Sequence, residues 1–182
     1  MLNRMKNVIS VLSLILFGFY HVISTMILHW NLPAINCSHT VKSELVKRNV
    51  HVGSVHCPLC DSGDDSVVHL FAACSVAQEV WSAIGHWCRL SPIIAFDVTD
   101  LLQTFKGAEG GKWGKIIAHD IIMVSCWCIW RARNESVFQD KKTSDRIVIA
   151  NITRLAFLWC KHRSKFKDLS WENWLKSPLY ML

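Results

Sequence analysis

Apolar residues recur at helical spacing along three stretches of this 182-residue chain, and run almost unbroken near its start. Between residues 75 and 88, Val76, Ala77, Val80, Trp81, Ile84 and Trp87 follow the i, i+3/i+4 rule of an amphipathic helix. Ser75 and Gln78 have the spacing of a capping box, so this helix is expected to start with Ser75 as N-cap. Ser91-Pro92 stops it, because proline cannot continue a helix. Residues 113–131 carry Trp113, Ile116, Ile117, Ile121, Val124, Trp127, Cys128 and Ile129, the pattern of a long, largely buried helix. A third helix is predicted from Ser144 or Asp145, with Val148, Ile152, Leu155, Ala156 and Trp159 on one face. Its other face carries Arg146, Arg154, Lys161 and Arg163, and Lys165–Asp168 ends it. Shorter helices are expected at 43–49, with Ser43 as N-cap, and at 97–105. Residues 106–111 read as a glycine-rich loop and 171–182 as a short tail. Convincing strands are few, so the class is mainly α.

The run Val8–Trp30 contains no Asp, Glu, Lys or Arg. About 20 apolar residues suffice to cross a bilayer as a helix. Arg4 and Lys6 before it favour a cytoplasmic N-terminus, while His21, His29 and several Ser and Thr weaken the hydropathy. Three readings stay open: a signal anchor or transmembrane helix, a buried core helix, or an altered start joined to a truncated element. The chain divides accordingly into the apolar segment 1–31, a Pro33-containing linker over 32–41, a domain over 42–138, and a basic helix and tail over 139–182.

Composition adds two constraints. Hydrophobic residues make up 51% of the chain and charged residues 19%, which argues against disorder. The net charge of +6 is uneven, for residues 131–182 carry eleven Lys and Arg against five Asp and Glu. A basic tail suits nucleic acid or an anionic membrane surface, and equally an ordinary solvated helix face. The eight cysteines fall in apolar or metal-like contexts, which favours a reducing compartment.

The chemistry concentrates in His56-Cys57-Pro58-Leu59-Cys60, His69-Leu70-Phe71 and Cys74, a C-x2-C-x8-H-x4-C spacing. Zinc takes four thiolate or imidazole ligands in a tetrahedron, and two cysteines separated by two residues can turn around one ion. A short helix over 66–71, broken before Ser75, would point His69 and Cys74 at the same ion, and Gly63 suits a tight turn between the ligand pairs. Four protein ligands, Cys57, Cys60, His69 and Cys74, close the site, so one structural zinc ion is expected and no catalytic one. His56 and His51 are poorer alternatives.

Taken together, several segments resemble the zinc-binding domain that ends plant LINE-type (non-LTR) retrotransposon reverse transcriptases. They are Leu45-Val-Lys-Arg-Asn-Val50, Cys57-Pro-Leu-Cys60, Asp64-Asp65, His69-Leu-Phe71 with Cys74, and Ala77-Gln-Glu-Val-Trp81. Further on stand Ile129-Trp-Arg-Ala-Arg-Asn-Glu-Ser-Val-Phe138, then Trp171, Trp174 and Pro178. The resemblance spans residue 42 to the end. Upstream the chain keeps Leu32-Pro33 but inserts Ile35–Thr40. The likeness implies the same four zinc ligands and a role beside a polymerase that copies RNA into DNA, assisting template handling in the nucleus or cytoplasm. It implies a small helical domain organised around a CCHC zinc knuckle, binding RNA or single-stranded DNA weakly and without sequence preference.

Candidate phosphate contacts are Lys47, Arg48, Arg131, Arg133, Lys161, Arg163, Lys165 and Lys167. Trp81, Trp87, Trp127 and Trp159 are expected in the core, and Trp113, Trp171 and Trp174 at the surface. Cys126 and Cys128, two apart on a helix, read as core thiols. Gly63-Asp64-Asp65 spells a polymerase-like triplet, but it lies between proposed zinc ligands and lacks a two-metal scaffold. No nucleophile–base pair or open metal site emerges, so no catalysis is expected of this chain. The competing readings are a membrane-anchored helical protein with no nucleic-acid role, and a nonfunctional retroelement remnant.

Overall fold

Long apolar stripes on neighbouring helices have to face one another, and here they meet in a three-helix core. The computed structural model of the chain describes residues 41–163 and 169–179, together forming a mainly helical unit. The apolar run 8–30 lies outside the described residues, as do Lys165, Lys167 and the side chain of Arg163. Among the described residues, no helix is long and apolar enough to cross a membrane, and the β structure is a single isolated bridge between His56 and Asp64.

Among the described residues six α-helices follow in order: α1 (Lys42–Lys47), α2 (Ser75–Cys88), α3 (Val98–Leu101), α4 (Gly111–Gln139), α5 (Asp145–Arg163) and α6 (Trp171–Lys176). A π-helical turn, His69–Ala73, precedes α2, and a 3-10 turn, Thr104–Gly107, follows α3. Helix α4 has 29 residues, about 43 Å at the standard rise. It packs on α5 and, less extensively, on α2, while α2 also packs on α5. Ile117, Ile121, Ile122 and Ile129 of α4, Val148, Ile152 and Ala156 of α5, and Val80, Trp81 and Ile84 of α2 are all buried. These are the faces marked by helical periodicity, and their burial supplies the main stabilising term.

Helix α2 occupies residues 75–88 as expected, but its caps differ from the sequence reading. Cys74 is the N-cap and no side chain caps the helix. Ser75 is the first helical residue, and Gln78 instead directs its amide to the carbonyl of Ala72 at 3.5 Å. At the other end Arg89 turns left-handed (φ 52°), and Leu90 N–H bonds to Gly85 C=O, so the helix closes before Pro92 is reached. A reciprocal capping box does occur at Asp97 and Asp100, starting α3. The helix expected over 97–105 is thus split into α3 and the 3-10 turn. Helix α4 runs eight residues beyond 131 and ends at left-handed Asp140 (φ 50°).

The tail is less exposed than expected. Trp174 is fully buried, contrary to its assignment to the surface. Its indole N–H bonds to the Thr153 carbonyl at 2.9 Å, and its own carbonyl accepts the indole N–H of Trp87 at 3.0 Å. The rings of Trp87 and Trp174 meet edge to face, 5.2 Å between centroids. Trp113 and Trp171 are exposed, and Trp81 and Trp159 are buried, as expected.

Candidate metal centre

Residues 55–74 wrap a loop whose backbone sets the ligand positions. Asp65 N–H bonds to Val55 C=O at 2.8 Å and Cys57 N–H to Gly63 C=O at 3.0 Å, so the two flanks pair like a minimal hairpin. Between them Asp61 N–H returns to Cys57 C=O at 2.8 Å, closing the knuckle that carries Cys57 and Cys60. The return needs left-handed backbone at Asp61 (φ 55°) and Gly63 (φ 73°). Gly63 has a second reason to be glycine: a Cβ there would lie 2.7 Å from two ring atoms of His69.

The second ligand pair comes from the π-helical turn. Ser66 starts it, its hydroxyl accepting the His69 N–H at 3.1 Å and its carbonyl the Leu70 N–H at 2.8 Å. Cys74 N–H then bonds to His69 C=O at 2.6 Å, an i to i+5 closure. In an α-helix, residues five apart diverge around the axis. The wider π turn brings them back towards one side, which lets His69 and Cys74 serve one ion. The short helix expected over 66–71 is therefore present in substance but underwound, and the break after it falls at Cys74, where the backbone is extended.

The structure brings together the side chains of Cys57, Cys60, His69 and Cys74, whose ligand atoms all lie within 4.8 Å of one another. The Sγ atoms of Cys57 and Cys74 are 3.9 Å apart, and Cys60 Sγ is 3.2 Å from His69 Nε2. Tetrahedral zinc with ordinary Zn–S and Zn–N lengths sets sulfur atoms about 3.8 Å apart and S···N about 3.6 Å. The donor set and its spacing therefore fit one structural zinc ion. Cys57 and Cys74 are buried, while Cys60 and His69 are half-buried at the rim. His51 and His56 are exposed and stand outside the cluster.

One of the thiols is biased towards ligation. The hydrogen bond from Cys74 holds the Cys57 thiol down at about 5, with backbone amides of the knuckle assisting against the opposing effect of burial. Cys74 moves the other way, because it keeps the shared proton and is itself buried. Elsewhere burial pushes Cys88 and Cys128 up to about 12, as befits inert core thiols. Cys57, Cys60, Cys74, Cys88 and Cys128 are free thiols.

Asp65, in the triplet Gly63-Asp64-Asp65, is completely buried. Its carboxylate accepts the Arg133 Nε–H at 3.2 Å and the Lys42 backbone N–H at 3.0 Å, and it also pairs with Arg133 Nη2. Its carbonyl accepts the Ser43 N–H at 3.2 Å. Asp65 thus caps α1 from across the loop, in place of the Ser43 cap expected from sequence; Val41 is the N-cap and no side chain within α1 caps it.

Arg133 is 1% exposed, so its proposed phosphate contact is withdrawn: the guanidinium that would meet phosphate is committed to Asp65. The other candidate cations among the described residues lie at the surface. Lys47 is exposed and bonded to Glu44 at 2.7 Å, and Arg48 is exposed. Arg131 is exposed, bonded to Glu135 at 2.7 Å, with its guanidinium 5.3 Å from the Trp127 ring centre. Lys161 is exposed, its ammonium 5.4 Å from the Phe157 ring centre.

Sequence reasoning missed the roles of Asp65 and Arg133, which pair, and of Ser136, whose hydroxyl donates to the Pro58 carbonyl at 3.1 Å. The signal available was an acidic residue four before a ligand and an arginine inside an otherwise apolar helix. Neither identifies its partner. No curated protein and no solved structure matches the chain. Residues 20–81 match the family model described as zinc-binding in reverse transcriptase, a span that holds all four ligands and reaches back into the apolar run.

Proposed function

We propose that this chain is a non-catalytic zinc module, derived from a retrotransposon reverse transcriptase of the plant LINE type, that assists the handling of RNA or single-stranded DNA template. The observation that carries the reading is the closed Cys3His cluster lying inside the matched span. Four protein ligands leave zinc no position for an activated water, so the metal organises the fold and does not act on substrate. Any polymerisation belongs to the rest of the parent protein. The zinc loop supports α1 and braces it against α4, so the metal sets where Lys47 and Arg48 stand. Arg131 and Lys161 are further exposed cations, and Arg163, Lys165 and Lys167 remain candidates by sequence.

The match from residue 20 also favours reading residues 20–30 as the lead into this module over reading them as an anchor. Release of the full chain from membranes by carbonate washing would agree with that, and retention in the pellet would contradict it.

A phosphate-driven contact makes affinity fall linearly on a log–log plot against salt, with a slope of about −0.7 per phosphate contact for single strands. The test is fluorescence-anisotropy titration of single-stranded RNA and DNA oligonucleotides with the zinc-loaded full chain between low and physiological salt. Replacing Lys47, Arg48 and Lys161 by alanine should weaken binding for all sequences alike and flatten the slope. Absent or salt-insensitive binding overturns the nucleic-acid role while leaving the zinc site standing.

A further inference from the structure

The zinc loop is held from outside the matched span. Two residues of α4, one turn apart, reach the ligand-bearing segment at its first turn and at its middle. Ser136 Oγ–H donates to the Pro58 carbonyl at 3.1 Å, inside the knuckle that joins Cys57 and Cys60. Arg133 grips Asp65, between the knuckle and the π-helical turn, with Nε 3.3 and 3.2 Å from the two carboxylate oxygens. The neighbouring Asn134 accepts a hydrogen bond from Arg133 Nη1 at 2.8 Å. Residues three apart on a helix share a face, so a single face of α4 contacts both places.

We propose that Arg133 and Ser136 are positioning residues for the zinc ligands, so that the functional zinc unit extends to α4 and is not confined to residues 20–81. The proposal rests on the zinc reading above. The physical case has three parts. The Pro58 carbonyl lies between two ligating cysteines, and proline cannot offer its own N–H to stiffen the turn. An external donor there fixes the direction of the knuckle. Asp65 is fully buried, and its charge is stable there only with the guanidinium in place. Asp65 N–H also closes the loop flank on Val55, so displacing Asp65 loosens the pairing that places Cys57 opposite Gly63. Groups that orient ligands in this way typically change metal affinity 10- to 100-fold when removed.

The experiment is zinc transfer from the full chain to a chromophoric chelator, giving both affinity and release rate, with cobalt absorption as a check on ligand geometry. The variants are Ser136→Ala, Arg133→Met and the double change Asp65→Asn/Arg133→Met, which avoids stranding a buried charge. Ile152→Val, a core change in α5 away from the loop, controls for general loss of stability. Ser136→Ala and the double variant should release zinc at least tenfold faster than wild type with altered cobalt bands, whereas Ile152→Val should leave both unchanged. If Ser136→Ala and the double variant release zinc as wild type does, the clamp is wrong even though the zinc site stands. The same holds if Ile152→Val accelerates release equally. If wild type itself binds no zinc or cobalt, the zinc reading fails first, and the clamp with it. Should Arg133→Met alone fail to fold, the double variant and Ser136→Ala decide the outcome.

Discussion

Replacing Gly63 by alanine puts a methyl group where the ring of His69 stands. The backbone at Gly63 is left-handed (φ 73°), which costs an L-residue about 1–2 kcal/mol. The added Cβ would then sit 2.7 Å from Cε1 and Nδ1 of the imidazole. An unligated ring could swing aside cheaply. A ring fixed by a metal ion cannot, so the clash falls on the zinc-bound fold. The two effects together come to roughly 2–4 kcal/mol, or about 30-fold to 1000-fold in zinc affinity. The assay is competition with a chromophoric chelator at neutral pH, comparing wild type, Gly63→Ala and Gly53→Ala. Gly53 is the internal control, since a Cβ there meets nothing within 4 Å. Gly53→Ala should bind zinc like wild type. Affinity for Gly63→Ala within twofold of wild type would refute the reasoning, because it would mean that His69 does not hold the ion in this ring position.

Trp174→Ala should lower stability by about 3–5 kcal/mol, since it empties a fully buried site and removes the indole bond to Thr153. Thermal unfolding at fixed zinc measures this, and a shift under 1 kcal/mol would show that the tail does not dock. The hydrogen bond from Lys141 holds the Glu135 carboxyl below its ordinary range, with Arg131 adding to the effect against some burial. A depressed carboxylate stabilises the fold above its unfolded pKa, and that contribution is lost as pH falls through the lower folded value. Wild type should therefore exceed Glu135→Gln by at most about 1 kcal/mol at neutral pH, with the gap closing below about pH 4; a gap that widens in acid contradicts the assignment. Removing the metal with a chelator should raise amide exchange across 55–74 while the buried stretches 117–129 and 148–156 stay protected. Equal loss everywhere would make zinc the keystone of the whole unit.

The Cys3His cluster and the long helices could be read from sequence because both are local patterns. Two cysteines, a histidine and a third cysteine fall within eighteen residues, and helical periodicity needs only its own segment. Most of the errors share one cause, a partner far along the chain. The cap of α2 is the local exception, for Ser75 and Gln78 have the letters of a capping box but the adjacent Cys74 is the N-cap. Ser43 looks like a cap, yet Asp65 supplies the acceptors. Arg133 sits two residues from the exposed Arg131, and nothing local separates the cation that faces solvent from the one that is buried. Trp174 lies in a short terminal helix with an exposed neighbour, Trp171, and only the packing against Trp87 and α5 decides that it goes inside. The π-helical turn is similar: five-residue spacing between ligands hints at it, but the extra residue shows only once the backbone closes.

The pairing of Asp65 with Arg133 spans 68 residues, which sets an order of events during synthesis. At about 5–20 residues per second, a ribosome needs roughly 3–14 s after making Asp65 before it reaches Arg133. All four ligands have been made by the first fraction of that interval. The nascent chain can therefore capture zinc while the carboxylate of Asp65 is still in water and the knuckle is unbraced. Metal acquired then is held provisionally and can still be exchanged. Only when α4 arrives is the ion locked in, so a chain interrupted between these points would carry the complete ligand set and lose its zinc readily.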